Sequence, residues 1–343
     1  MRLIDLHVDW LLQYTPEAIT FPPDLYDGVE GRVGQLAGYL QTTRAAVLAC
    51  YRRADDWAGQ ADPWAALGSL IARVEAEFPG RLLIGPDDFD RWQDDRGGLT
   101  WGLIGVEGFD ALVRSPGDLD RLPTLFDRGV RVFQPLYGST NGLGGSSAPG
   151  DDRGLTDLGR RFLDAVDGLA GSAERGRPLV DLAHMNPSTM AETLDWYEAD
   201  PTRLGRSFPV YSHGSLVHPS FDAPRAITLE NLGRLRALGG HVGLGVTPPF
   251  VQAPAQLVEL VERVASLPFE GRVGPEGISI GTDFLGVEQT LPGLNDAEQV
   301  VSWFQAHFDR SIAKDLIHDN ALALIEKVTG ATRRSRPTAD LAG

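Results

Sequence analysis

Six side chains that can bind metal ions or move protons each come directly after, or at the end of, a short apolar segment. In chain order they are His7, Asp9, Glu107, His184, His213 and Asp283. Three imidazoles and three carboxylates can hold one or two divalent cations, and mixed nitrogen and oxygen ligands favour zinc. Two ions need a bridging carboxylate, for which Glu107 is best placed. A water shared by two such ions becomes hydroxide near neutral pH, and Asp283 could take up its proton.

Each of these residues also has a purely structural interpretation. A lone His7 is more often a core or surface histidine than a ligand, Glu107 could pair with an arginine, and Asp283 could cap a helix. The structural interpretation requires six independent coincidences at one end of the fold. The joint pattern therefore favours a metal site.

Other polar residues give weaker signals. We expect His218 in a loop at the rim of the site, His241 at the opposite end of its strand, and His307 and His318 on the surface of late helices. Two aspartates precede predicted ligands, Asp5 before His7 and Asp181 before His184. Their spacing allows either orientation of the ligand imidazoles or a polar contact inside the fold.

The segments that carry the site residues are continuous apolar runs, which is typical of parallel strands buried on both faces. Eight such runs are Leu3–Val8, Ala45–Tyr51, Trp101–Val106, Val130–Leu136, Leu179–Ala183, Pro209–Ser212, His241–Val246 and Ile278–Thr282. Eight strands separated by helical patterns predict an α/β fold, a (β/α)8 TIM barrel, whose active site lies at the carboxyl ends of the strands. A doubly wound sheet would instead require a glycine-rich turn after the first strand, where the chain has His7-Val8-Asp9-Trp10.

Amphipathic patterns between and after the strands predict the helices. They cover Pro63–Glu77, Leu119–Asp127, Asp157–Ala173, Pro187–Glu198, Leu229–Ala237, Pro254–Ser266, Asp296–Phe308 and Lys314–Val328. Residues 138–154 form a glycine-rich stretch that we expect to be a pocket wall or lid rather than a passive connector. We predict one domain over residues 1–330 and a disordered tail over residues 331–343.

Composition excludes several classes of partner. The 343 residues carry a net charge of −16, which repels phosphate backbones and anionic lipid, so we expect neither nucleic acid nor membrane as a partner. The single cysteine, Cys50, lies in an apolar run and excludes an intrachain disulfide. No signal peptide or run of about 18 apolar residues is evident. We expect a soluble cytoplasmic protein.

Five motifs, in this order, resemble those of the renal (membrane) dipeptidase family, peptidase M19, of the amidohydrolase superfamily. They are Asp5-Leu6-His7-Val8-Asp9, Gly105-Val106-Glu107-Gly108, Val180-Asp181-Leu182-Ala183-His184, Tyr211-Ser212-His213 and Gly281-Thr282-Asp283-Phe284. The resemblance spans nearly the whole chain. It implies a barrel with two zinc ions that hydrolyses dipeptides, often with a D-residue at the C-terminal side, and it allows a homodimer.

The resemblance also implies a role for each residue. His7 and Asp9 would bind one zinc ion, His184 and His213 the other, and Glu107 would bridge them. Asp283 would be the acid and base. Arg225 would bind the substrate carboxylate, because Pro224–Thr228 resembles a stretch of the family that contains this arginine.

The sequence departs from the family at two positions. Tyr137 stands where the family has a histidine that polarises the scissile carbonyl, and Leu285 replaces a second acidic residue. A phenol can donate one hydrogen bond to an oxyanion but is not a cation at neutral pH. The ligands survive while the substrate pocket has changed.

We therefore expect a metallohydrolase that cleaves the amide bond of a small substrate with a free carboxylate, in which Tyr137 contributes to catalysis and substrate binding. Two alternatives stay open. One is an amidohydrolase acting on a different amide, an N-acyl amino acid or a lactone. The other is an inactive metal-binding scaffold or accessory protein.

Overall fold

Eight parallel strands pair in chain order, and the last pairs with the first to close a barrel. They are β1 (Leu3–Val8), β2 (Thr43–Cys50), β3 (Trp101–Glu107), β4 (Val130–Gln134), β5 (Leu179–Asp181), β6 (Phe208–Tyr211), β7 (His241–Leu244) and β8 (Ile278–Ile280). Asp5 of β1 is the register partner of Ile280 of β8. The predicted (β/α)8 barrel is confirmed, and every predicted strand end lies within about two residues of the observed one.

The structure, a computed structural model, describes residues 1–14, 38–51, 59–138, 142–148, 150–170, 175–217, 226–248, 250–287 and 289–331. The predicted tail lies outside these ranges from residue 332 onward, as do Arg225 and His218. Within the described ranges, none of the helices combines the length and apolar character that a membrane crossing requires.

Helices lie between the strands and after the last of them. In chain order they are α1 (Tyr39–Thr42), α2 (Pro63–Glu77), α3 (Pro86–Asp94), α4 (Leu122–Asp127), α5 (Asp157–Asp167), α6 (Pro187–Ala199), α7 (Leu229–Ala237), α8 (Gln256–Ala265), α9 (Ala297–His307), α10 (Arg310–Lys314) and α11 (Asn320–Thr329). Short 3₁₀ segments cover Trp10–Tyr14, Phe109–Ala111, Pro116–Arg121 and Pro201–Gly205, and a π turn covers Asp315–Asp319.

Some predicted helix boundaries were wrong. The helix expected over Asp157–Ala173 ends at Asp167, and the one expected over Leu119–Asp127 begins with a 3₁₀ turn. Helix α3 was not predicted, because only Phe89 and Trp92 of its nine residues are buried and two apolar residues give no clear helical period.

The strands are apolar because both of their faces are covered. All seven residues of β3 are buried, for example. Leu103 and Val132 precede Glu107 and Gln134 on the same faces of their strands, and they pack in a cluster with residues of α3 and α11. A packed layer therefore lies beneath the carboxyl ends of the strands and supports the polar residues there.

Candidate metal centre

The barrel brings the six predicted site residues together at the carboxyl ends of its strands. His7 lies near the end of β1 and Asp9 just after it, while Glu107 is the last residue of β3. The others follow their strands by two or three residues: His184 after β5, His213 after β6 and Asp283 after β8. All six are buried, with at most 5% of their surface exposed.

Glu107 lies at the centre of this cluster. Its Oε1 is 3.0 Å from His184 Nε2 and 3.9 Å from His213 Nε2. Its Oε2 is 3.3 Å from His7 Nε2, which in turn is 3.9 Å from both Asp9 Oδ1 and Asp283 Oδ1. The two carboxylate oxygens therefore face two different sets of ligand atoms.

Three groups of side chains have ligand atoms close enough together to hold a metal ion. They are His7–Asp9–Glu107, Glu107–His184–His213 and His7–Asp181–His213, each with its ligand atoms within 4.8 Å of one another. The first two share Glu107 alone. His184 Nε2 and His213 Nε2 lie only 3.2 Å apart, so both ring nitrogens face the same point. These are nitrogen and oxygen donors of the kind that bind zinc.

Three buried polar atoms of this cluster form no hydrogen bond with the described residues and are therefore able to bind a cation. Within the described part of the chain, His7 Nε2, Asp9 Oδ1 and Glu107 Oε2 form no hydrogen bond. A buried polar atom without a hydrogen bond costs about 1–3 kcal/mol, and more if charged, although the 3.3 Å contact of His7 with Glu107 offsets part of this cost. The residues present therefore fit a bound divalent cation.

Like charges concentrate in the same space. Burial raises the pKa of Asp9, and the negative charge of Glu107 raises it further. Burial would lower the pKa of His7, but the charges of Glu107, Asp9 and Asp283 outweigh it and raise that pKa to about 10. Protons thus balance the carboxylates when no metal is bound, and a divalent cation would take over that role.

The backbone around the ligands adopts conformations that most residues avoid. His184 and Asp283 have φ angles of 65° and 55°, in the left-handed region, where residues other than glycine are uncommon and often functional. A Cβ atom on Gly286 would overlap Asp9 Oδ2 and Asp283 Oδ1. Glycine at this position therefore permits the two carboxylates to approach each other.

Three residues that contact predicted site residues were not themselves predicted. Gln134, the last residue of β4, donates from Nε2 to Glu107 Oε1 at 3.0 Å. The Ser212 hydroxyl lies 2.8 Å from His213 Nδ1 and fixes the orientation of that ring. Asp110 Oδ1 accepts the backbone N–H of Tyr137 at 3.2 Å. Ser212 was detectable, because it ends a predicted strand beside His213, whereas Gln134 lies inside the predicted strand Val130–Leu136 and Asp110 lies in a 3₁₀ turn.

The two aspartates whose roles the sequence left open differ in the structure. Both carboxylates are buried, and each Oδ1 accepts two backbone N–H groups, one from the residue two positions further along the chain and one from a residue just after the adjacent strand. Asp5 Oδ2 also accepts the hydroxyls of Tyr39 and Thr282, both at 2.7 Å. Asp181 Oδ2 makes no hydrogen bond within the described residues. Asp5 thus makes a polar contact within the barrel, while Asp181 belongs to one of the potential metal-binding groups.

Tyr137 lies beside the metal cluster, three residues after β4. Its ring centroid is 4.4 Å from that of His184 and 4.4 Å from that of Tyr51. Gly108 leaves room for it, since a Cβ there would lie 2.9 Å from Tyr137 Cβ. The predicted tyrosine is thus adjacent to the ligands.

The remaining predictions have mixed outcomes. His241 is buried at the start of β7, away from the cluster, as predicted, and His307 is exposed. His318 is partly buried and lies 2.9 Å from Asp319 Oδ1 instead of being fully on the surface. The predicted role of Arg225 concerns a residue outside the described ranges.

The glycine-rich stretch borders the site where it is described. Ser147 donates its backbone N–H to His184 O at 2.9 Å, and Asn186 Nδ2 donates to Asp151 O and Arg153 O. These bonds attach residues 142–154, apart from residue 149, to the loop that carries His184. The described part of the stretch thus lies beside the His184 loop, and its role as a pocket wall or lid stays a prediction.

Comparison with known proteins identifies the family to which the chain belongs. Residues 69–338 match the family described as membrane dipeptidase, Peptidase family M19. This segment includes Glu107, His184, His213 and Asp283 but begins after β1 and β2. Similar curated proteins are dipeptidase verJ of Clonostachys rogersoniana, 26% identical over 79% of this chain, and dipeptidase ataJ of Aspergillus terreus, 24% identical over 78%. The matches span 66% and 67% of those relatives, about two thirds of their length.

A solved structure shares the fold over almost its full length. The metallo peptidase of Rhodobacter sphaeroides, liganded with a phosphinate mimic of the dipeptide L-Ala-D-Ala, superposes with a TM-score of 0.67 at 19% identity. The alignment covers 96% of this chain and 99% of that one. At this identity the similarity establishes the fold alone.

Proposed function

Because the chain belongs to the membrane dipeptidase family, Peptidase family M19, and is thus a metallohydrolase, we propose that it hydrolyses the amide bond of a small substrate with a free carboxylate. The proposed substrate is a dipeptide, with a D-residue accepted at its C-terminal side. The proposed cofactor is a pair of zinc ions. A cytoplasmic location and a homodimer stay predictions.

The position of Glu107 is the observation that carries this proposal. Its oxygens face His7 and Asp9 on one side and His184 and His213 on the other. In the proposed centre these four residues, together with Glu107 between them, would hold the two ions. When bound, the ions supply Lewis acidity toward the scissile carbonyl and lower the pKa of water to near neutrality.

Asp283 is the proposed proton carrier. It is buried beside His7 and Asp9, next to the space where the attacking water would lie. A carboxylate there accepts the proton of the water during attack and returns it to the departing amine. The left-handed backbone of Asp283 fixes the start of the side chain, so that it reaches the ligands without extending from a regular strand.

Two further residues are proposed to bind the substrate. The Tyr137 hydroxyl donates a hydrogen bond to the carbonyl oxygen as negative charge develops there. Arg225 binds the carboxylate of the substrate, for which its planar guanidinium offers two parallel donors. These roles exclude substrates that lack either the carbonyl or the free carboxylate.

A substrate panel tests the proposal. Zinc-loaded protein is assayed with dipeptides that carry an L- or a D-residue at the C-terminal side, beside the same dipeptides amidated at the C-terminus. The proposal predicts turnover of the free dipeptides and little turnover of the amides. Equal turnover of both sets would contradict the carboxylate requirement, and no turnover of any dipeptide would contradict the dipeptidase assignment.

Tyr137 and Leu285 favour a second candidate, an amidohydrolase that acts on an N-acyl amino acid or a lactone. A neutral phenol stands in the place of the family's histidine, and Leu285, buried beside Asp283, in the place of an acidic residue. Acylated amino acids and lactones therefore belong in the same panel. Turnover of these without turnover of dipeptides would support the second candidate, and an inactive scaffold would turn over none.

A further inference from the structure

Tyr51 lies at the same end of the barrel as the metal cluster but has no role in the function proposed above. It follows β2 directly, at the position where other strands present a site residue. Only 6% of its surface is exposed. A buried phenol requires a partner for its hydroxyl, because an unpaired hydroxyl there would cost free energy.

The partner of Tyr51 is Tyr137. The two rings lie 4.4 Å apart at an angle of 51°, and the Tyr137 phenol is among the groups that raise the pKa of Tyr51. The ring of Tyr137 also lies 4.4 Å from that of His184, and its backbone N–H donates to Asp110 Oδ1. Tyr137 is thus held between Tyr51 and a proposed metal ligand.

The surroundings of Tyr51 favour the protonated form of its phenol. Burial raises the pKa of the Tyr51 phenol well above its ordinary value, as do its contact with Tyr137 and the nearby carboxylates of Glu107 and Asp9. Tyr51 therefore keeps its proton. A phenol has a single proton to donate, so a Tyr51 that donates to the Tyr137 oxygen does not compete for the Tyr137 proton.

We propose that Tyr51 is a positioning residue that donates a hydrogen bond to the Tyr137 oxygen and thereby directs the Tyr137 proton toward the carbonyl oxygen of the substrate. Consecutive hydrogen bonds polarise one another, so Tyr137 becomes a stronger donor than it would be alone. The two neutral phenols thus take the place of the histidine that the family has at the position of Tyr137. This inference rests on the proposed role of Tyr137 in the function above.

A double-mutant cycle in the full-length, zinc-loaded chain tests the inference. The variants are Tyr51→Phe, Tyr137→Phe and the double variant, assayed on the best substrate of the panel. We expect Tyr137→Phe to lower kcat about 100-fold, as for other lost oxyanion donors. We expect Tyr51→Phe to lower kcat about tenfold with KM and zinc content unchanged, and to cause less than a twofold further loss when Tyr137 is already phenylalanine.

A binding measurement gives a readout that does not depend on turnover. A phosphinate dipeptide analogue presents tetrahedral oxygens where the oxyanion would form, and calorimetry measures its Kd. We expect Tyr51→Phe to weaken binding about tenfold in the parent chain and to leave it unchanged in the Tyr137→Phe background. Tyr197→Phe is the matched control, because the hydroxyl of this buried tyrosine contacts Ser207 at 3.2 Å instead.

The outcomes separate the inference from the proposed function. Equal losses from Tyr51→Phe in both backgrounds, or a loss of zinc, would overturn the positioning role of Tyr51. Unchanged kcat and Kd in Tyr137→Phe would remove the proposed role of Tyr137 and with it this inference. A parent chain that neither turns over the panel nor binds the phosphinate would overturn the proposed function itself.

Discussion

Glu107 Oε1 lies 3.0 Å from His184 Nε2, although Glu107 ends β3 and His184 follows β5, two strands that are not neighbours in the barrel. The opposite oxygen of the same carboxylate lies 3.3 Å from His7 Nε2 on β1. One side chain thus connects ligands from both sides of the barrel mouth. This connection is why we place Glu107 between two metal ions.

Asp283→Asn should abolish most of the activity while the metal stays bound. The amide keeps the shape of the side chain but cannot accept the proton of the attacking water. We expect kcat to fall at least about 100-fold, the lower range for the loss of a general base. Steady-state kinetics and elemental analysis of the same sample measure the two effects. Loss of zinc together with loss of activity would instead indicate that Asp283 is a metal ligand.

Gly286→Ala should displace a proposed metal ligand. The added methyl group would overlap the carboxylate oxygens of Asp9 and Asp283, and the buried site leaves these side chains little space to move. We expect less zinc per chain and lower activity. Gly233→Ala is the control, since nothing lies within 4 Å of a Cβ at that helical position. A Gly286→Ala chain with full zinc content would contradict the close approach of Asp9 and Asp283.

His241 should make the fold sensitive to acid, independently of the metal cluster. Burial, reinforced by the positive charges of Lys327 and Arg236, lowers the pKa of His241 to about 3. Its pKa in the unfolded chain is about 6.5, so below that pH the unfolded chain binds a proton that the folded chain does not. Stability from this residue is present above pH 6.5 and is lost as the pH falls toward 3.

The variant His241→Phe measures this contribution. Denaturant unfolding of metal-free protein at pH 7 and pH 5 should show that the parent chain loses about 2 kcal/mol more than the variant between these conditions. The variant His307→Phe, at an exposed position, serves as control. Between pH 7 and pH 5 its free energy of unfolding should fall by as much as that of the parent chain. An equal pH dependence in His241→Phe and the parent chain would contradict the lowered pKa.

The strands and the ligand cluster could be predicted from sequence for the same physical reason. Strands buried on both faces are continuously apolar, so a histidine or carboxylate at the end of such a run stands out, as Glu107 does after Trp101–Val106. The closed barrel then brings these ends together. Residue type and position in the sequence were therefore sufficient to predict the strands and the cluster of site residues at their ends.

Other features depend on partners that are remote in sequence. Asp5 and Asp181 have similar spacing to a histidine, but only the structure shows that Thr282 and Tyr39 occupy the second oxygen of Asp5. Tyr51 ends a predicted strand, but its proposed role could not be predicted from sequence, because that role depends on its contact with Tyr137. Helix α3 buries too few apolar residues to give a periodic signal.

The central claim is that the cluster holds two metal ions bridged by Glu107, and metal content per chain tests it most directly. Protein purified with zinc and freed of excess metal is analysed beside His184→Ala and Glu107→Gln, with Glu75→Gln as a control carboxylate outside the cluster. We predict close to two zinc ions in the parent chain and the control, about one in His184→Ala and fewer than one in Glu107→Gln. No zinc in the parent chain, or two in Glu107→Gln, would contradict the account.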